Sequence, residues 1–210
     1  MKVLSIQVGQ PKIILHNHRE VKTSIFKEAV KGPVKVKKLG LEGDTQSDLT
    51  VHGGQFKAVY AYAVEHFGYW KSIASRHVFE NGAFGENLTT TGLLETEVSI
   101  GDVIQIGSVV LRVTQPRFPC FKLGIKFDDN QMIKLFHDSV KSGIYFEVLE
   151  EGEFKAGDEI KVITKSGGTT IHDFIVAKNS NGAEVELIKK LIADPNLMDE
   201  WREYFEGKLN

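Results

Sequence analysis

The sequence predicts a mainly β chain with added helices, an α+β fold in which a strand-rich barrel or sandwich precedes three short helices. Short alternating or β-branched runs, separated by glycine-bearing turns, recur as far as residue 164. After Ser166-Gly167-Gly168 helical periodicity takes over. The 210 residues, 41% hydrophobic and 26% charged, suit one sizeable core or one core with a small satellite. The division expected is residues 1–165 for the β part and 168–210 for the helical part.

The opening stretch Met1-Lys2-Val3-Leu4-Ser5-Ile6-Gln7-Val8-Gly9 alternates apolar and polar, so it reads as a strand and lacks the continuous apolar core of a signal peptide. Further strands are expected at 12–15, 34–39, 58–62, 103–106, 109–114, 144–149 and 159–163. Gly101-Asp102-Val103 and Gly157-Asp158-Glu159 open two of them in similar fashion. One helix is expected over 64–74 with Val64, Phe67 and Ile73 inward. A second is expected over 129–142, with Asp129 as N-cap, Met132, Ile133, Phe136 and Val140 on one face, and Gly143 as the stop. In the tail, Thr170-Ile171-His172-Asp173 has capping-box form. The loop Asn179-Ser180-Asn181-Gly182 leads to a helix with Val185, Ile188, Leu191 and Ile192 in phase, ended by Asp194-Pro195. A last helix carries Leu197, Trp201, Tyr204 and Phe205. Three short helices bury little alone, so they should pack on one another and on the β part or a partner subunit.

Composition narrows the function classes. A net charge of -2 gives no basic footprint for nucleic acid, and no run is long enough to span a membrane. One cysteine rules out an intrachain disulfide or a multi-cysteine zinc site and fits a reducing compartment, so a soluble cytoplasmic protein is expected. The sequon Asn87-Leu88-Thr89 then has no bearing on glycosylation. There is no P-loop, no Gly-x-Gly-x-x-Gly, no nucleophile elbow and no His-Glu-x-x-His.

The residue with most chemical content is Cys120, in Pro116-Arg117-Phe118-Pro119-Cys120-Phe121-Lys122-Leu123 after a strand. Two prolines stiffen the approach, and Arg117 and Lys122 put a cation on either side, a setting that suits a nucleophilic or metal-binding thiolate. A buried structural cysteine fits the same residues, and both readings stay open at this point. The run from Gly40 through Asp44 and Asp48 to His52-Gly53-Gly54 reads as a shaped loop. It is either a capped surface loop or a place where two carboxylates and a histidine meet a ligand. Cysteine catalysis needs a partnered histidine, and His52 is the candidate by elimination. In Gly82-Ala83-Phe84-Gly85-Glu86-Asn87-Leu88, Asn87 offers a donor and an acceptor and Glu86 a base or orienting group, unless the segment is simply a tight turn. Tyr60, Tyr62, His66 and Trp70 form an aromatic group, more in keeping with a core than with a ligand platform. His16 and His18 are weak metal candidates, and His77, His137 and His172 read as surface or cap residues.

Together these segments resemble the MOSC family, the molybdenum-cofactor sulfurase C-terminal domain, and within it the bacterial stand-alone, YiiM-like branch. The resemblance runs through Gly40-Leu41-Glu42-Gly43-Asp44 with Asp48, and His52-Gly53-Gly54 with Ala58, Tyr62, Glu65-His66 and Trp70. It continues through the Phe84 to Leu88 turn, Gly92-Leu93, Ile100-Gly101-Asp102 and Pro116-Arg117 with Pro119-Cys120 and Lys122-Leu123. It implies a barrel like that of pyruvate kinase, a small three-helix C-terminal domain, and a pocket for the molybdenum cofactor (molybdopterin). The family at large is also associated with pyridoxal phosphate. Cys120 is then the molybdenum or sulfur ligand and, with His52, catalytic. Arg117 and Lys122, with Arg112 or Lys57, would pair with the cofactor's phosphate. Asn87, Asp44, Asp48, Gly53 and Gly54 would complete the cofactor site. The implied activity is reduction of N-hydroxylated compounds of the hydroxylaminopurine type, with a separate reductase as electron donor and a homodimer as one assembly. The alternative is a persulfide carrier or cofactor-delivery module. Phe118, Phe121 and Glu147 depart from the pattern, standing where glutamine, tryptophan or tyrosine, and arginine are expected; Glu147 in the pocket wall would remove a cation.

Overall fold

The computed structural model describes residues 1–47 and 53–209. The first half of the chain is built from β1 (Lys2–Val8), β2 (Lys12–His16), β3 (Arg19–Thr23), β4 (Glu28–Ala29), β5 (Val34–Lys37), β6 (Gly40–Leu41), β7 (Val59–Ala63), α1 (Phe67–Ile73), β8 (Leu88–Thr91) and β9 (Val103–Ile106). The second half carries β10 (Val109–Pro116), α2 (Phe121–Phe127), α3 (Gln131–Asp138), β11 (Ile144–Glu150), β12 (Gly152–Phe154), β13 (Ile160–Thr164), α4 (Ile171–Asn179), α5 (Val185–Ala193) and α6 (Asp199–Leu209).

An eight-stranded sheet runs in the order β13-β9-β10-β11-β7-β8-β1-β4. Its pairings are antiparallel except β7 with β8. Its two ends approach each other: Val3 N donates to Asp158 O at 3.0 Å, Gly157 N to Val3 O at 2.8 Å and Ile160 N to Met1 O at 3.0 Å. A smaller sheet, β12-β5-β6, and the β2–β3 hairpin complete the strands. Alternation in β5 buries Val34 and Val36 while Lys35 and Lys37 stay exposed, the period-2 signature of a half-buried strand.

One apolar cluster joins the sheet to the helical tail. It contains Ile6, Ile104, Leu111 and Phe146 together with Ile171, Phe174, Leu191 and Phe205. A second, aromatic cluster holds Tyr60, Tyr62, Phe67, Trp70, Phe84 and Phe136 with Leu123 and Met132. Buried polar tips in it find partners, as aromatic residues require. Trp70 Nε1 donates to the Tyr62 hydroxyl at 2.6 Å, and that hydroxyl donates to Lys141 O at 3.1 Å. The aromatic group is therefore mainly core.

Several expectations are corrected. Residues 64–66 form a 3₁₀ turn before α1, which buries Phe67 and Trp70 and leaves Ile73 exposed. The helix expected over 129–142 ends at Asp138, with Asn130 as N-cap, while Asp129 Oδ1 accepts from Gln131 N at 2.9 Å. Val140 takes a φ of 52° and packs on the main cluster, so it shares no helical face with Met132 and Phe136. Gly143 stops nothing; its φ is 69°, and a Cβ there would lie 2.5 Å from Ala61 O and 2.6 Å from Tyr60 Cε2. It is glycine because the chain passes that close to β7. In the tail, Thr170 Oγ1 accepts from Asp173 N at 3.0 Å, the expected cap. Ile188 and Leu191 are buried, whereas Val185 faces out. Among the described residues no helix is long and apolar enough to cross a membrane.

Candidate functional site

β10 delivers the chain to Pro116, Arg117–Cys120 cross to the next element, and Cys120 is the extended N-cap residue of α2. Its thiol is free and partly exposed. It lines a cleft that is open to solvent and offers about 100 Å³ of room. Arg117 and Lys122 line the same cleft, as do Lys57, Lys27, Asp44 and Asn87. Among the described residues of its wall, four cations face a single carboxylate, Asp44.

Arg117 is only 7% exposed. Its guanidinium carbon lies 5.2 Å from the Tyr60 ring centre and 5.1 Å from that of Phe136. No carboxylate pairs with it among the described residues, so its charge is cushioned by aromatic faces rather than neutralised. Tyr145, opposite Tyr60 in the β11–β7 register, also lines the cleft. Burial pushes both tyrosine hydroxyls above their ordinary pKa, against the pull of Arg117.

The other wall is a hydrogen-bonded scaffold. Lys27 Nζ meets Asp44 Oδ1 and Oδ2 at 2.5 and 2.6 Å, both side chains being 8% exposed. Burial lowers the Lys27 pKa, and Asp44 opposes that shift. Asp44 also accepts from Gly9 N at 2.6 Å and Asn87 Nδ2 at 2.8 Å. Asn87 donates again to Gln7 O at 3.3 Å and accepts from Tyr60 N at 3.1 Å. Glu86 accepts from Gly82 N at 2.6 Å, Phe84 N at 2.9 Å and Thr89 Oγ1 at 2.9 Å, and burial raises its pKa against those bonds.

These contacts redistribute the roles expected from sequence. Cys120, Arg117, Lys122 and Lys57 come together around the cleft. Asn87 and Asp44 line it too, but both donor hydrogens of Asn87 are committed and Asp44 is held by Lys27. The pair therefore braces the wall rather than offering free donors to a ligand. Glu86 holds a turn and is no base in the cleft. Gly53 and Gly54 are not among the cleft-lining residues; Gly54, at a φ of 95°, donates its N–H to Gln46 Oε1 at 2.9 Å. Asp48 and His52 lie outside the described residues. Arg112 is bonded to Glu147 and lines a different cleft, so neither contributes to this one. Among the described residues no group of three or more His, Cys, Asp or Glu side chains could hold a metal ion. Lys27 was missed because its partner is 17 residues away and no local motif announces the pair.

The profile of the MOSC domain matches residues 48–161. This chain belongs to the MOSC domain family. Its likeness to YiiM from Geobacillus stearothermophilus covers 100% of this chain and 99% of that crystal structure, at 34% identity and a TM-score of 0.82. It is a YiiM-like MOSC protein. An uncharacterized Bacillus subtilis protein, YflK, is 36% identical over 207 residues, 98% of this chain and 93% of its own length. A protein named Reductase from Gibberella moniliformis is 33% identical over 149 residues, 70% of this chain but 26% of that larger protein. The MOSC cleft suits an anionic, sulfur-ligated group on two counts. Arg117 is a buried cation with no carboxylate partner among the described residues, and Cys120 presents a soft thiol beside it.

Proposed function

We propose that this MOSC protein binds the molybdenum cofactor and reduces N-hydroxylated small molecules of the hydroxylaminopurine type, with electrons from a separate reductase. The observation that carries the reading is the free Cys120 thiol in a cleft shared with the buried cations Arg117 and Lys122. Arg117 and Lys122, with Lys57, would hold the cofactor's phosphate, and Cys120 would be its protein ligand. Bound there, the cofactor would supply a two-electron redox centre. Overall, the N–O bond of a hydroxylamine is cleaved, two electrons and two protons enter, and the oxygen leaves as water. Tyr145 and Tyr60 add no competing anion to the cleft wall, since burial opposes their ionisation. The reductase-named relative supports a redox role.

We read residues 1–165 as a closed barrel and 168–210 as a helical unit docked on it. The bonds joining β1 to residues 157–160 support the closure. The deciding experiment is metal analysis of protein expressed in cells able to make the cofactor, with Cys120→Ala alongside. Stoichiometric molybdenum and hydroxylamine reduction in the wild type are expected, both lost in Cys120→Ala without loss of folding. Full molybdenum-dependent turnover by Cys120→Ala would overturn the reading. A persulfide on Cys120 by mass spectrometry, with no reduction under any donor, would make the protein a sulfur carrier instead.

A further inference from the structure

Arg117 also borders a second, small void, together with Pro119, Phe136, His137, Ser142 and Asn179. It offers about 10 Å³ of room, enough for one water molecule. Two of the buried polar atoms without a protein partner belong to its lining residues: Arg117 Nη1 and Asn179 Oδ1. One is a donor and the other an acceptor. The Asn179 amide is oriented by its other end, where Nδ2 donates to His137 O at 2.9 Å. Ser142 is occupied, its carbonyl accepting from the Tyr60 hydroxyl at 2.7 Å and its hydroxyl donating to Gly143 O at 2.6 Å. Leaving both atoms bare would cost the full desolvation of each, most of all for the guanidinium.

We propose that one ordered water fills this void, accepting from Arg117 Nη1 and donating to Asn179 Oδ1, and that Asn179 is thereby a positioning residue for the cleft arginine. The last residue of α4 would then fix the plane of the guanidinium from the void, while its cleft side stays available to an anion. The second half of the inference rests on the reading of the cleft as an anion site.

A crystal structure of the full chain at a resolution that orders solvent should show a water within ~3.2 Å of both atoms. A void without density, or Arg117 Nη1 bonded elsewhere, overturns the proposal. The positioning role is read by calorimetric titration with inorganic sulfate. Asn179→Asp offers Arg117 a carboxylate from the void and should weaken sulfate binding about tenfold without lowering Tm. In an Arg117→Gln background the same substitution should change affinity by less than about twofold. Equal effects in both backgrounds mean a general field effect, and no effect in either means no coupling; both results overturn the positioning role. If the wild type binds no sulfate, the anion-site reading falls, and the density in the void alone decides the inference.

Discussion

Lys27 and Asp44 are each other's answer to burial: neither is more than 8% exposed, and each would be an isolated charge without the other. Lys27→Met should therefore cost about 3–5 kcal/mol of stability, read as a lowered urea midpoint. Lys27→Met with Asp44→Asn should recover much of that loss. Lys126 makes a different residue-scale prediction, because burial takes its pKa down to about 8. Its Nζ donates to Ile25 O at 3.1 Å, beside the Phe26 ring. Below about 8 both folded and unfolded chains hold the Lys126 proton, and the folded one bears the full cost of burying the charge. Between about 8 and ~10.4 the unfolded chain binds the extra proton, so stability rises with pH. Urea titrations of the wild type and Lys126→Met should show a stability difference that shifts in favour of the wild type between pH 8 and 10. A pH-independent difference would refute the assignment. At this scale the sequence made Cys120, Arg117 and Lys122 legible, since they sit in one segment. Lys27 was not, because a buried ion pair between distant segments leaves no local pattern.

The elements divide along similar lines. Strands with one face buried announced themselves by alternation, as β5 and β9 do. β8 did not, because Leu88, Thr89 and Thr90 are all buried and leave no period of two to read. α2 was hidden for another reason: it follows Pro119-Cys120, contains Gly124 and is a short helix that buries only Lys122, Leu123 and Gly124. Phe118 packs on the tail, with ring centres 6.2 Å from Phe174 and 5.2 Å from Trp201. Trp201 is tied to the same strand exit through Nε1, which donates to Gln115 Oε1 at 2.8 Å. Phe118→Gln, although it restores the residue expected in relatives, should cost about 1–3 kcal/mol here, seen as a fall in Tm of several degrees. An unchanged Tm would show that the aromatic contact contributes nothing.

Across the whole molecule, the shared cluster that runs from Ile6 and Leu111 to Phe174 and Phe205 makes sheet and tail one cooperative body. Urea unfolding should then follow a single transition by fluorescence and by circular dichroism, with coincident midpoints. Two separated transitions would mean that the tail folds on its own. The composition and strand pattern conveyed the β-then-helix order of the fold. The convergence on one cleft of residues drawn from the segments 23–27, 44–47, 57–60, 85–87 and 117–122, and of Tyr145, lay beyond the residues' local patterns, because it depends on long-range strand pairing. The crossing segment Arg117–Cys120 brings these levels together. Arg117 serves the cleft and the second void, Phe118 the tail, and Cys120 the cleft again. Such a segment has a fixed length. Relatives and engineered variants can exchange its side chains one at a time, but a single insertion or deletion would turn every following residue toward the wrong neighbour. Gaps in an alignment of this family should therefore fall elsewhere, in places such as the β2–β3 hairpin, where a change of length moves nothing but the loop itself.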